Sequence, residues 1–174
     1  ADAIMFTSNL QQTKSNKKLK RKNPVTGTQT FNLYTSRKNA KGEWEEISLP
    51  EGIYNSDSES GESENDSTSS GKVNSAEYGV CSFTSDGKTM YFTRCQMDGD
   101  YPRYAEIYKS ARTDASWGAP QKCEITKDTL SSIAHPAVSP DGEWLYFVSD
   151  MPGGVGGTDI WRVRVSDAGF EWVE

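Results

Sequence analysis

The chain has 174 residues, 34% hydrophobic and 25% charged, with a formal net charge of −6 and a pI near 4.9. That length suits one domain of ordinary size. The acidic balance argues against general affinity for nucleic acid, and no apolar run approaches the ~18 residues of a membrane-crossing helix. Five Trp, eight Tyr and six Phe sit between clusters of Gly, Asn, Asp and Ser, a pattern of short strands and turns, and no convincing amphipathic helix interrupts it. The opening residues do not read as a signal peptide.

In chain order, residues 3–8 read as a strand. A loop over 11–30 follows, carrying Lys14, Lys17, Lys18, Lys20, Arg21 and Lys22. Strands are predicted at 31–37 and, after the turn Asn39-Ala40-Lys41-Gly42, at 44–49. Residues 51–72 place Asp57, Glu59, Glu62, Glu64 and Asp66 among Ser, Gly and Asn. Such a composition buries too little apolar surface to offset its ordering entropy, so a mobile loop is expected. Four strands are then predicted near 79–83, 89–94, 105–111 and 117–124, and four more near 135–139, 144–149, 158–165 and 170–173.

These strands repeat. Thr84-Ser85-Asp86-Gly87 and Ser139-Pro140-Asp141-Gly142 are matching turn signals. Phe92 and Phe147 lie 55 residues apart, as do Trp117 and Trp172; Trp44 precedes Trp117 by 73 because the acidic insertion lies between them. A four-strand unit recurring at this length is the signature of a propeller blade. The expectation is therefore an all-β chain, a partial β-propeller of about three blades of four antiparallel strands. Residues 1–50 form a blade lacking its inner strand, 51–77 an acidic Ser-rich insertion, 78–125 a second blade and 126–174 a third. Three blades leave an arc, with Ile4, Phe6, Val163 and Val165 expected at its apolar ends, covered by remaining blades or by self-association.

In such blades the tight turns share one face, and the long segments 10–30, 50–77, 95–104, 126–134 and 150–157 share the other. Function concentrates on loops held by a rigid scaffold. His135, Tyr101, Arg103, Tyr104, Asp150, Met151, Lys18 and Arg21 are therefore the candidate contacts for a protein partner. The basic 14–22 and acidic 57–66 runs read as solvated segments, with electrostatic steering of a partner as the alternative.

Other motifs have plain structural readings. Gly153-Gly154-Val155-Gly156-Gly157 lacks the helix that a phosphate loop needs and reads as a strand connection. His135 is the only histidine, read as a structural hydrogen-bonding residue, and no GxSxG elbow accompanies it. Asp86, Asp141, Asp159 and Glu106 recur at equivalent positions, as turn caps and blade-to-blade hydrogen bonds would. Three cysteines without CxxC spacing do not read as a metal site, and Cys81 and Cys95 fall diagonally across their turn, which disfavours a disulfide. No catalytic residue, metal or cofactor is expected.

Ser139-Pro140-Asp141-Gly142 followed by Leu145-Tyr146-Phe147 and Asp159-Ile160 resembles the TolB-like, Pro-Asp type β-propeller repeat. The earlier copy departs from it with Ser85 in place of Pro. The stretch from His135 to Trp161, with Met90-Tyr91-Phe92-Thr93-Arg94-Cys95, further resembles propellers of the type IX secretion and gliding apparatus. The resemblance implies a non-enzymatic interaction scaffold in the bacterial envelope, periplasmic and outer-membrane-associated, as part of a lipoprotein, with protein partners there. Two other readings stay open: the gating propeller of a serine peptidase, and a carbohydrate- or peptidoglycan-binding module with Tyr101 and Tyr104 at the channel mouth.

Overall fold

The computed structural model of the chain describes residues 2–10, 23, 27–54, 76–98, 101–114 and 116–173. Among these residues, ten strands form three antiparallel sheets. The first pairs β1 (Ala3–Ser8) with β2 (Asn32–Arg37). The second runs in the order β3 (Ala76–Phe83), β4 (Thr89–Asp98), β5 (Tyr101–Ala111), β6 (Gln121–Lys122). The third runs in the order β7 (Ile133–Val138), β8 (Trp144–Ser149), β9 (Asp159–Ser166), β10 (Gly169–Glu171). These are consecutive meander blades, so the chain is all-β and a partial propeller. The first sheet packs on β3, and β7 packs on β3, β4 and β5.

The ladders align the blades residue by residue. Phe6 pairs with Tyr34, Phe92 with Tyr108 and Phe147 with Trp161. Two residues back, Ile4 pairs with Ser36, Met90 with Ser110 and Leu145 with Val163. The inner strands of the second and third blades share a β-bulge at equivalent places, between Tyr78 and Cys81 and between Ala134 and Ala137. Both tight turns form as expected: Gly87 N donates to Thr84 O at 2.8 Å and Gly142 N to Ser139 O at 2.9 Å. Both glycines have positive φ, as the turn requires.

Each blade has a leading face, toward the blade before it, and a trailing face, toward the blade after it. Strand alternation separates them. Met90, Phe92 and Tyr108 lead, meeting Leu33 and Ile53 in one core, while Tyr91 and Ile107 trail, meeting Leu145, Phe147 and Val163 in a second. Full burial of each such side chain stabilises by about 1.5–3 kcal/mol. The blades are held together by these two interleaved cores and by hydroxyls at the inner strands. Thr93 Oγ1 accepts from His135 N at 2.9 Å, and Ser82 Oγ from Val138 N at 3.0 Å.

Several expectations need correction. Val163 and Val165 are not at an open end. Both lie on the leading face: Val163 is buried in the second core and Val165 packs against it. The period of two makes this a one-residue phase error, since the residues actually facing outward are Ile160, Arg162 and Arg164. The outer strands are shorter than expected. Residues 44–49 make only the bridges Lys38↔Trp44 and Thr35↔Ser48, and 117–124 reduces to β6 and the bridge Arg112↔Trp117.

The segment 95–104 is no long loop, because β4 and β5 pair as far as Asp98↔Tyr101. The insertion does not begin at 51: Ile53 is fully buried, and the Tyr54 hydroxyl accepts from Leu33 N at 2.9 Å. Glu51 O also accepts from Trp117 N, and Gly52, at φ +90°, lies where a Cβ would meet the Trp117 carbonyl oxygen at 1.6 Å. Only a glycine fits there. At its far end, Ala76 and Glu77 already belong to β3. Residues 55–75, with the acidic run 57–66, and the basic run 14–22 lie outside the described residues.

The ladder pairs Cys81 with Phe92 and Cys95 with Ala105, and Cys81 and Cys123 are free thiols. Only Cys123 is buried outright; the other two are half-buried. Burial pushes the Cys81 thiol up to about 11 and the Cys123 thiol up to about 12, so neither is a ready nucleophile.

Candidate functional site

Of the proposed contact residues, the side chains of Tyr104, His135, Asp150 and Met151 are described, and Ser132 lies between two of them, its Oγ accepting from Ala105 N at 3.3 Å and its N–H donating to Asp150. Lys18 and Arg21 lie outside the described residues, and Tyr101 and Arg103 are described only as backbone positions of β5. Met151 is buried in the core between the second and third blades, which removes it from the candidate contacts. Asp150 is exposed but already committed: its Oδ1 accepts from Ser132 N at 2.8 Å at the entry to β7. His135 sits in the β7 bulge at φ 55°, and its backbone N–H, rather than its imidazole, makes the bond to Thr93.

The repeat carboxylates act within their own blades. Asp86 Oδ1 accepts from Thr84 Oγ1 at 2.6 Å and Lys88 N at 3.0 Å; Asp141 Oδ1 accepts from Ser139 Oγ and from Glu143 N at 2.9 Å. Both are turn caps, and these hydrogen bonds hold their carboxyls below the usual range. Asp159 accepts from Gly156 N at 3.0 Å and so fastens the glycine loop, where a Cβ on Gly154 would meet its Oδ2 at 2.0 Å. The expected blade-to-blade bonds are made instead by the hydroxyls of Thr93 and Ser82.

Among the candidate residues whose side chains are described, only Tyr104 borders a groove of about 910 Å³, lined by β5, by residues 122–133 running from the second blade into the third, and by Phe170 and Trp172. Ile107, Cys123 and Ile133 contribute apolar lining, and Tyr104 and Trp172 are both about half exposed beside it. Trp172 is fixed by its Nε1–H, which donates to Ile125 O at 2.9 Å, and by edge contacts with Phe147 and Trp161. Lys122 Nζ meets Glu106 Oε1 at 2.5 Å, and that bond raises the lysine above its ordinary value. Tyr108 OH donates to the other Glu106 oxygen at 3.3 Å; burial raises the phenol. Asp128 accepts from Leu130 N and Ser131 Oγ, and these bonds hold it low. The groove thus has a mixed lining, with Ile107, Ile125, Ile133 and Phe170 beside charged and hydroxyl groups. The fixed ring of Trp172 and the half-exposed ring of Tyr104 stand at its border, and Glu106 and Asp128 are already hydrogen-bonded, an arrangement suited to binding.

Trp172 was within reach of sequence reasoning. Spacing matches it to Trp117, but register does not: Phe170 pairs with Val165 as Trp117 does with Arg112. Trp172 therefore lies beyond the repeat's own aromatic position and is available to the groove.

No protein-family model matches the sequence, and no curated protein does. Among solved structures, TolB from Acinetobacter baumannii aligns with a TM-score of 0.40 at 18% identity, over 83% of this chain and 27% of that one. A putative TolB from Agrobacterium tumefaciens aligns at 0.38 and 20% identity, over 80% of this chain and 40% of that one. The chain thus spans less than half the length of either structure.

Proposed function

We propose that this chain is a non-enzymatic protein-interaction scaffold of the bacterial cell envelope, periplasmic and outer-membrane-associated, serving protein secretion there, and that the groove receives a segment of its partner. The single observation carrying the binding role is the groove itself, where half-exposed Tyr104 and Trp172 border a mixed apolar and polar lining. An aromatic ring already held in place in a concave site, as Trp172 is, supplies contact area at low entropic cost. The charged groups support binding over chemistry, since Glu106 is held by Lys122 and Tyr108, and Asp128 by its own loop. The location in the envelope rests on the repeat's resemblance to secretion-apparatus propellers.

A photoreactive phenylalanine analogue at Tyr104, expressed in the native host, tests this reading. Adducts with envelope proteins that disappear on Trp172→Ala are expected. Binding of peptidoglycan fragments in the groove would overturn the protein-partner reading. Turnover of peptide or ester substrates that is lost in His135→Ala would overturn the non-enzymatic one.

A further inference from the structure

The tryptophans of this chain differ in what lies over their rings. Lys38 Nζ stands 5.3 Å from the Trp44 ring centroid, and the Arg112 guanidinium 5.9 Å from that of Trp117. The bridges Lys38↔Trp44 and Arg112↔Trp117 put these two pairs at one position of successive blades. Arg162 lies over Trp144 at 4.3 Å. Trp161 is packed instead by Trp172, edge to face at 6.0 Å. Trp172 itself is 48% exposed, as Trp44 is, but among the described residues no cation lies over its ring. The negative face of an indole attracts a cation, so this ring has a contact left to make.

The groove around it favours a positive charge. Its carboxylates are Glu106, Glu124 and Asp128, set against the lysines Lys122 and Lys127. Glu106 and Lys122 offset each other in their ion pair at 2.5 Å. That leaves Glu124 and Asp128 against Lys127. Both Asp128 oxygens accept hydrogen bonds, which hold the carboxyl in its charged form. Glu124 is exposed and makes no hydrogen bond or ion pair among the described residues. It directly precedes Ile125, whose carbonyl oxygen accepts the Trp172 Nε1–H. An unpaired carboxylate and an uncovered indole thus open on the same groove.

We propose that the groove selects a basic segment of its partner, placing an arginine or lysine over the Trp172 ring with Glu124 meeting its charge. This rests on the reading of the groove as a partner-binding site and adds the chemistry of the occupant. The contact repeats on a partner what Lys38, Arg112 and Arg162 make within the chain. Arginine fits better than lysine, because its planar, weakly hydrated guanidinium stacks on an aromatic face. The net charge of −6 draws such a segment in at longer range.

Selection from a random-peptide display library on the 174-residue chain, with counter-selection on Trp172→Ala, tests the proposal. If that variant fails to fold, Tyr104→Ala, at an exposed position on the groove's border, takes its place. Peptides kept by the parent chain and refused by the variant are expected to share an arginine or lysine. Exchanging that arginine for citrulline, or that lysine for norleucine, removes the charge and keeps most of the shape. Either exchange should weaken binding about two- to fivefold, the worth of one cation–π contact at an exposed site. Glutamate there should weaken it further, and Glu124→Lys should weaken binding of the unaltered peptide. Groove-dependent peptides that lack a basic residue, or that tolerate these exchanges, would overturn the proposal and leave the groove reading standing. If the counter-selection removes no peptide at all, the groove reading falls, and the basic occupant with it.

Discussion

The trailing faces of the second and third blades are the same surface in two circumstances. Tyr91 and Ile107 have become core because a third blade lies on them, whereas Tyr146 and Ile160, at the same ladder positions, have remained surface. Local sequence does not separate the two pairs: a tyrosine and an isoleucine occupy both. Burial in a repeat architecture belongs to the interface, and each blade is completed by its neighbour. What does differ is polar. Thr93 and Ser82 offer hydroxyls to the inner strand of the next blade, and Val148 and Ala137 do not.

The isoleucine pair breaks or sharpens this comparison most directly. Ile107→Ala should destabilise by about 2–5 kcal/mol, the transfer and cavity cost of a filled core site. Ile160→Ala should stay within about 0.5 kcal/mol, as an exposed substitution does. Urea unfolding midpoints at constant m-value give both numbers. Similar losses at the two sites would mean that the third blade's face is covered within a single chain.

The hydroxyl pair has the next largest effect. Thr93→Val imports the third blade's residue into the second and leaves His135 N without its acceptor, at a cost of about 1–3 kcal/mol. The reciprocal Val148→Thr should change stability by less than about 0.5 kcal/mol. Amide exchange at His135 reports the lost bond directly: it should accelerate in Thr93→Val and not in Val148→Thr.

The strand positions were legible because turn signals and aromatic spacing are local. Thr84–Gly87 and Ser139–Gly142 fix the hairpins, and the 55-residue offset carries one blade onto the next. The phase of β9 was also written in the sequence, since Trp161, Val163 and Val165 alternate with Arg162 and Arg164, but locating the arc's end correctly required knowing which face the next blade would cover. The outer strand at 117–124 was overestimated because Gly118 and Pro120 interrupt it, Pro120 having no N–H to donate, and only Gln121 and Lys122 pair with β5. The groove was least legible. Tyr104, Lys122 and Trp172 come from three strand regions of two blades, and only the packing angle between sheets brings them to one opening.

The two turn caps should show the smallest effects and, unlike the isoleucines, equal ones. Thr84 and Asp86 repeat the roles of Ser139 and Asp141, with the carboxylate accepting one hydroxyl and one backbone N–H in each blade. These hydrogen bonds depress both aspartates in the folded state. A depressed carboxylate contributes stability that is fully present above its unfolded value, about 3.9. That contribution is lost as pH falls through the lower folded value, because protonation then removes the acceptor. Stability should therefore decline over the acid range below about pH 4, and Asp86→Asn and Asp141→Asn should each flatten that decline slightly. Melting temperatures at neutral pH and near pH 3 provide the comparison. Unequal flattening would show that the third blade's turn, like its trailing face, depends on what lies beside it.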